Sequence, residues 1–303
     1  MREQPMVPAP EFESYYGRPV LKTPVWKQPD VPLYLFLGGL AGASAVLAEG
    51  AAASDRPALR RVARVLAAGG SGLGTLALIH DLGRPERFLN MLRVFKPTSP
   101  LSVGSWILAP FGGLSAAALA SEATGLLPKL GRAAGLGAAA LGPALATYTG
   151  ALIANTAVPA WHDAYRELPF IFAGSGATAA GGLAMLATPT EQAGPARRLA
   201  VLGAGIEIVA AERVLHRLGL VGEPYRQGRP GTLMKSARSL TVVGAAISLL
   251  LGRRSRAASM LAGAAYTSAS VLTRFGIFQA GLASAKDPKY TVVPQRERLA
   301  SSH

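Results

Sequence analysis

A histidine next to an aspartate ends one of the apolar stretches of the sequence, at His80 and Asp81, and Arg84 follows three residues later. A histidine titrates near neutral pH, so beside a carboxylate it can exchange protons with a bound redox ligand. Ionisable groups at the end of a membrane helix are costly unless they are hydrated or paired, and Arg84 is one candidate partner. The residues therefore indicate either a proton-exchanging site or a hydrated helix cap, and leave both open.

Three more carboxylates fall inside apolar stretches, at Glu49, Glu207 and Glu212. A buried, unpaired carboxylate favours its neutral form, so all three are candidates for proton transfer. The alternative is structural: Glu49 would lie near a short connector, and Glu212 would pair with Arg213 or Arg217. Glu207 lies about ten residues into its stretch, which favours a functional role or a buried hydrogen bond.

The stretches that position these residues are long and apolar. Half of the 303 residues are hydrophobic and only 16% are charged, with the charges between the apolar runs. A membrane-spanning helix needs about 20 mostly apolar residues, and an open sheet would leave backbone groups unpaired in lipid. We therefore predict an all-α integral membrane protein with about eight transmembrane helices in two four-helix bundles. The predicted spans are 33–53, 62–80, 101–121, 133–156, 168–188, 197–216, 237–252 and 257–279.

The connectors between these spans alternate between short and long. The short ones are rich in arginine, and by the positive-inside rule they favour the cytoplasm. The long ones would then lie on the extracytoplasmic side of a multi-pass protein of the plasma membrane. The predicted organisation is an extramembrane segment 1–32, a first bundle 33–156 with an amphipathic loop 84–100, a second bundle 168–279, and an extramembrane tail 284–303.

Two of the predicted helices end in similar residues. His80-Asp81-Leu82-Gly83 ends the second stretch, and His216-Arg217-Leu218-Gly219 ends the sixth. Each is followed by a loop that contains proline and arginine and then by another apolar stretch. Two four-helix halves of the same topology would place both histidines at one face of the membrane. Three identical residues in four positions fit either an internal duplication or chance.

Composition also excludes several classes of protein. The net charge of +14 would suggest nucleic acid in a soluble protein, but these basic residues lie at helix ends, where they anchor helices to membrane lipid. The chain has no cysteine, so it holds no iron–sulfur cluster or Cys-ligated zinc. The internal histidines fall at helix ends or in loops, so a transmembrane bis-His haem is not expected. We predict no metal site and no nucleic-acid partner.

The segment around His80 resembles a known family of membrane subunits. The run HDLGRPERFLNMLRVFKPTSPLSVGSW, which begins at His80, is similar to the NrfD / polysulfide-reductase membrane-subunit family. The resemblance extends over nearly the whole chain. Its other elements are Tyr34-Leu35-Phe36-Leu37-Gly38-Gly39, Thr147-Tyr148-Thr149-Gly150, Trp161-His162-Asp163 with Arg166-Glu167-Leu168-Pro169, and Arg274-Phe275-Gly276 with Asp287-Pro288-Lys289-Tyr290.

The resemblance implies a quinone-reactive, haem-free anchor of eight helices. Such a subunit works with an iron–sulfur (ferredoxin-like) subunit and a molybdopterin-containing catalytic subunit. The first candidate for the whole complex is a formate dehydrogenase. It does not itself act on the primary substrate. It exchanges electrons with menaquinone or ubiquinone, as in anaerobic respiration. The alternatives are a secondary transporter and a purely structural membrane anchor.

Carried over residue by residue, the resemblance assigns His80 and Asp81 to the quinone headgroup and its protons. Arg84 would orient them or contact the iron–sulfur subunit, and Tyr148 would line the quinone pocket. A partner interface is expected on the amphipathic loop and on the loop before the fifth span. Its candidate residues are Arg87, Arg93, Lys96, Trp161 and His162.

Overall fold

Eight long helices form the protein in a computed structural model, which describes residues 20–84 and 86–301 apart from the side chains of Arg87 and Ser301. Four short helices lie between or after them, and no β-strand occurs within these ranges. The long helices are α1 (Asp30–Ala53), α2 (Pro57–Leu82), α4 (Pro100–Thr124), α5 (Pro128–Ala154), α7 (Leu168–Ala187), α8 (Gly194–Arg217), α9 (Gly228–Leu250) and α10 (Arg256–Lys286). The short ones are α3 (Glu86–Met91), α6 (Pro159–His162), a 3₁₀ helix (Gly219–Tyr225) and α11 (Lys289–Ser301).

Six of the long helices are both long and apolar enough to cross a membrane: α1, α2, α4, α5, α7 and α9. Helices α8 and α10, with 24 and 31 residues, also have the length but carry more polar residues. The exposed side chains of α8 still include Leu202, Ile206 and Val209, whose helical spacing gives an apolar outer face. The predicted class, an all-helical integral membrane protein, is confirmed.

The helices pack in chain-order groups. Helices α1, α2, α4 and α5 contact one another, α7 packs on α8 and α10, and α10 packs on α9. Helix α1 contacts α7 between the groups, and a Cβ on Gly176 would meet the backbone of Gly39 there. Small residues allow this close approach of backbones, which is how membrane helices associate. The domain boundaries inferred from the sequence remain predictions.

Connector lengths alternate as expected. Three to six residues separate α1 from α2, α4 from α5, α7 from α8 and α9 from α10, and the connectors at the opposite end are longer. The segment 84–100, expected to be amphipathic, contains the short helix α3, which ends at Met91, and Phe95 beyond it is exposed. A helix of six residues is unstable without packing along one face. We call the end of the bundle with the longer connectors the long-connector face.

Candidate functional site

His80 lies in the last turn of α2 at the long-connector face, and its imidazole bonds to a carboxylate from another helix. Its Nδ1 lies 2.7 Å from Oδ2 of Asp30, the first residue of α1. The helix stops just beyond it because Gly83 adopts a left-handed conformation, with φ of 69°, and donates its N–H to the His80 carbonyl. The Asp30 carboxylate sits at a helix N-terminus, where negative charge is favoured. The His80 side chain is 75% exposed, so the dyad is open at the surface of the fold.

The imidazole contacts Asp30 rather than its chain neighbour Asp81, and the joint role expected for His80 and Asp81 at a quinone stays a prediction. Asp81 Oδ1 accepts a hydrogen bond from the backbone N–H of Lys27 at 2.9 Å, which holds the entry segment of α1 against the end of α2. Asp30, which was not predicted, is the carboxylate that contacts the imidazole. Arg84 is exposed and makes no hydrogen bond or ion pair within the described ranges, so its orienting role is not seen.

Tyr148 lies in the interior of the first four helices. Its side chain is buried, and its ring covers Gly104 of α4 so closely that any Cβ there would collide with it. It belongs to the same apolar cluster as Tyr34 and Leu78, which lies two residues before His80. The Tyr148 hydroxyl forms no hydrogen bond to His80 among the described residues. The structure thus places Tyr148 in the helix interior, and its role in a quinone pocket stays a prediction.

Trp161 is a core residue, so its predicted place in a partner interface is wrong. Its side chain is fully buried, donates from Nε1 to the Ile277 carbonyl at 2.8 Å, and stacks on Trp26. Gly281 of α10 makes room for the indole, since any Cβ there would overlap it. A side chain with no exposed surface does not contact a partner. The other predicted interface residues with described side chains, His162, Arg93 and Lys96, are exposed, and the Arg87 side chain lies outside the described residues.

Glu49 belongs to a network of ion pairs near the short connectors. Its Oε1 lies 3.3 Å from Arg64, and Arg64 also lies 2.9 Å from Glu122, which pairs with Arg60 at 3.0 Å. Each carboxylate in the network therefore has a cationic partner. The structural alternative, in which Glu49 lies near a short connector, describes this geometry, and the proton-transfer role stays a prediction.

Glu207 lies in the interior of the last four helices, about 15 Å along α8 from its C-terminal end. Only 5% of it is exposed, and its carboxylate accepts hydrogen bonds from Thr273 at 2.6 Å and Thr178 at 3.4 Å. Helices α7 and α8 touch by their backbones here, because a Cβ on Gly174 would meet the Glu207 backbone. The buried hydrogen bond that the sequence predicted for Glu207 is thus present, and Thr273, 66 residues away, provides it.

Arg274 accompanies Glu207 in this interior. It is fully buried, donates from Nη2 to the Phe172 carbonyl at 2.7 Å, and stacks over the Phe172 ring at 3.8 Å. Its Nε and Nη1 have no hydrogen-bond partner within the described ranges. A buried guanidinium close to a buried carboxylate keeps a polar environment at membrane depth. The sequence singled out Arg274 only as part of a family motif.

Glu212 lies nearer the long-connector face and pairs with α9. Its Oε1 contacts Arg238, and its Oε2 lies 3.9 Å from His216. The predicted pairing with Arg213 or Arg217 is wrong, since Arg217 instead binds Glu167 at 2.6 Å. A neighbour on another helix supplies the cation, which no pattern along α8 reveals.

A cavity of about 180 Å³ opens between α8, α9 and α10 and reaches Glu207 and Thr273. Leucine, isoleucine and alanine side chains form much of its wall, and Glu212 and Arg238 stand nearer the long-connector face. The sequence did not predict this cavity, because its lining comes from four long helices and the 3₁₀ helix. No group of three or more His, Cys, Asp or Glu side chains suited to a metal ion occurs in residues 20–84 and 86–301.

Taken together, these features define a polytopic helical membrane protein with a histidine–carboxylate dyad at one face and a buried acid in its second half. The family model described as polysulphide reductase, NrfD, matches residues 21–202, and the chain belongs to this family. Proteins of this family are membrane subunits of molybdoenzyme complexes, which supports a role as a membrane anchor. Comparison with curated proteins finds no match.

The match covers only part of the resemblance expected from the sequence. It includes His80, Asp30 and Tyr148 and ends within the first half of α8. It does not extend to Glu207, Arg274 or the cavity beside them. The chemistry of the second half therefore stands on the geometry alone.

Proposed function

We propose that this protein is the quinone-reactive subunit of a membrane oxidoreductase complex. It exchanges electrons between an iron–sulfur partner subunit and menaquinone or ubiquinone, and a molybdopterin subunit, of formate-dehydrogenase type, acts on the primary substrate. The observation that carries the proposal is the hydrogen bond between His80 and Asp30 at the long-connector face. Family membership supports it, because the family is quinone-reactive in general.

The residues fit a quinone headgroup at this place. When bound, the quinone accepts two electrons and two protons, or returns them. Because Nδ1 of His80 bonds to Asp30, Nε2 remains available to give or take a proton at the headgroup. Asp30 orients the imidazole through this hydrogen bond. Asp81 holds the segment before Asp30 in place through the Lys27 N–H, so we assign it a positioning role.

The exposed groups of the same face suit a docking surface for the iron–sulfur subunit. Arg93, Lys96 and His162 are exposed there, and we propose them, with Arg84 and Arg87, as contacts of that subunit. We further propose that the protein resides in the plasma membrane and that this face is extracytoplasmic. Glu207 is proposed as an internal proton-transfer group, with Glu49 and Glu212 as weaker candidates because each has a cationic partner.

The test compares two histidines in the purified complex. The variants His80→Ala and Asp30→Asn should lower quinone-linked turnover by about 100-fold and about tenfold, the range expected for loss of a proton-exchanging group and of its orienting partner. Turnover with a soluble dye that accepts electrons before the membrane subunit should not change. The matched control is His216→Ala, because His216 is exposed in the last turn of α8 and also lies near a carboxylate.

Normal quinone-linked turnover in both His80→Ala and Asp30→Asn would refute the site. Solute flux in liposomes that contain this chain alone would favour a transporter instead. If the wild-type complex assembles but shows no quinone-linked turnover, the chain would be a purely structural membrane anchor.

A further inference from the structure

The cavity between α8 and α9 has an apolar interior and a basic mouth, and its helices face lipid. Ile208, Ala211 and Leu215 line it from α8, and Met234 and Ala237 line it from α9. Near the opening, Arg226, Lys235 and Arg238 are exposed cations. Glu212 is the acid among the residues that line this end, so the formal charge there is three minus one, or +2.

The outer sides of the two helices are apolar and exposed beside this cavity. On α8 these residues include Val209, and on α9 they include Val242. Such surfaces lie against acyl chains in a membrane. The two helices contact each other much less than either contacts its other main neighbour, which leaves a groove between them. The groove therefore opens to lipid at the level of the basic residues.

We propose that this groove binds an anionic phospholipid, with its phosphate at the basic mouth and part of one acyl chain in the cavity. Charge complementarity selects this ligand: a basic pocket between transmembrane helices attracts an acidic headgroup. A neutral quinone would gain nothing from a net charge of +2. The size also fits, since an apolar cavity of about 150 Å³ holds a small hydrocarbon ring, so this one has room for part of a chain.

Among the three cations, Lys235 is the one left to face a ligand. Arg238 contacts Glu212, and Arg226 donates to the backbone carbonyl of Leu215. Lys235 is exposed and makes no hydrogen bond or ion pair within the described ranges. Its ammonium is a compact donor that can meet a phosphate oxygen. The proposal therefore assigns Lys235 to the headgroup and the wall of Ala211 and Met234 to the acyl chain.

The test measures lipid retained by the full-length protein. The protein is equilibrated with mixed micelles of phosphatidylglycerol and phosphatidylcholine in equal amounts, and bound lipid is counted by native mass spectrometry. The wild type should retain phosphatidylglycerol preferentially. Lys235→Gln should reduce that preference about fivefold, the change expected for one cation at a membrane surface. Lys129→Gln is the matched control, because it removes an exposed lysine near a short connector.

A second variant tests the cavity without changing charge. Ala211→Phe fills the apolar wall and should abolish retention while Lys235 remains. Equal retention of the two lipids by the wild type would overturn the proposal, as would a preference that survives Lys235→Gln. Quinone that co-purifies with the wild type and is lost in Ala211→Phe, without any lipid preference, would assign the cavity to quinone and equally overturn it.

Discussion

The ends of α2 and α8 share the pattern His-X-Leu-Gly, and their chemical settings differ. Both histidines are exposed at the long-connector face, and both glycines adopt positive φ, 69° at Gly83 and 49° at Gly219. His80 bonds at 2.7 Å to Asp30 of another helix. His216 instead lies 3.9 Å from Glu212 of its own helix, which Arg238 already contacts. Similar sequences thus end similar helices, but the neighbouring helix decides which histidine has a dedicated carboxylate.

The interior carboxylates of the two halves differ in the same way. Glu49 of α1 has Arg64 within 3.3 Å and lies near the short connectors. Glu207 of α8 lies at mid-helix, where hydroxyls from Thr273 and Thr178 take the place of a direct ion pair. Hydroxyls leave a carboxylate free to gain or lose a proton more easily than an arginine does. The first half therefore places its histidine–carboxylate dyad at the surface, and the second half buries a carboxylate that hydroxyls hold.

The largest predicted difference between the halves is in the free energy of unfolding, and it follows from replacing Glu207 and Glu49 separately. Glu207→Leu leaves the Thr273 and Thr178 hydroxyls without their acceptor and the buried Arg274 without its nearby carboxylate, so it should lower the free energy of unfolding by about 3 kcal/mol. Glu49→Leu should cost about 1 kcal/mol or less, because Arg64 keeps Glu122. Reversible unfolding in mixed detergent measures both.

The conservative variant Glu207→Gln controls for shape and should recover part of the loss, because an amide oxygen still accepts from Thr273. Equal destabilisation by Glu49→Leu and Glu207→Leu would show that the two halves do not differ in this way.

Apolar runs predicted the helices better than their ends. The fifth span, expected at 168–188, is α7 at Leu168–Ala187, but the seventh, expected at 237–252, begins at Gly228. Its first turns carry Arg229, Lys235 and Arg238, which interrupt the apolar run although the helix itself is continuous from Gly228. Hydropathy reports the part of a helix that faces lipid. The hydropathy pattern therefore misses charged helix ends that reach the headgroup region.

The site was predicted only where its residues lie close in the sequence. The HDLG motif placed His80 at a helix end because histidine, aspartate and a terminating glycine are adjacent. Asp30 was missed, because the contact joins residues 50 apart. Trp161 was misassigned for a similar reason, since the space for its ring comes from Gly281, 120 positions later. Contacts between helices depend on packing, which one sequence does not reveal.

The two matched glycines give a smaller and more exact test of the repeat. Gly83→Ala and Gly219→Ala each force an alanine into a left-handed conformation, at a cost of about 1 kcal/mol. Neither added Cβ meets another atom within 4 Å, so the conformational cost stands alone. Thermal unfolding should therefore show equal losses of stability. Only Gly83→Ala should also lower quinone-linked turnover, because it shifts the end of α2 that carries His80.

A lowered turnover in Gly219→Ala would indicate that the second helix end contributes to the same chemistry. An unchanged turnover in Gly83→Ala, at the expected loss of stability, would show that the dyad tolerates a displaced helix end.

The connectors after the two matched ends also differ, since among the described residues α11 forms hydrogen bonds to the second connector and none to the first. Lys289 of α11 donates to Glu223 in the 3₁₀ helix at 2.9 Å, and the Tyr290 hydroxyl donates to the same carboxylate at 3.2 Å. The hydrogen bond from Lys289 lowers the pKa of Glu223 below its ordinary value of 4.5. The same bond raises the pKa of Lys289 above 10.5. In contrast, the described residues between Gly83 and Ser99 are mostly exposed.

The smallest predicted effect follows from these two shifts. A lowered carboxyl pKa stabilises docking of α11 above pH 4.5, and this is lost as the pH falls through the lower folded value. A raised ammonium pKa stabilises it below pH 10.5, and this is lost as the pH rises through the higher folded value. Because the chain has no cysteine, Ala300→Cys accepts a single fluorescent label. Its anisotropy should stay high between these limits and fall outside them.

In Glu223→Gln the fall on the acid side should disappear, and the anisotropy should already be lower at pH 7. Lys286→Gln is the matched control, because it removes an exposed cation at the end of α10 that has no part in the contact. An anisotropy that is independent of pH in the wild type would mean that apolar packing, rather than this ion pair, holds α11. In that case the two connectors would differ only in length, and the contrast between the halves would rest on His80 and Glu207.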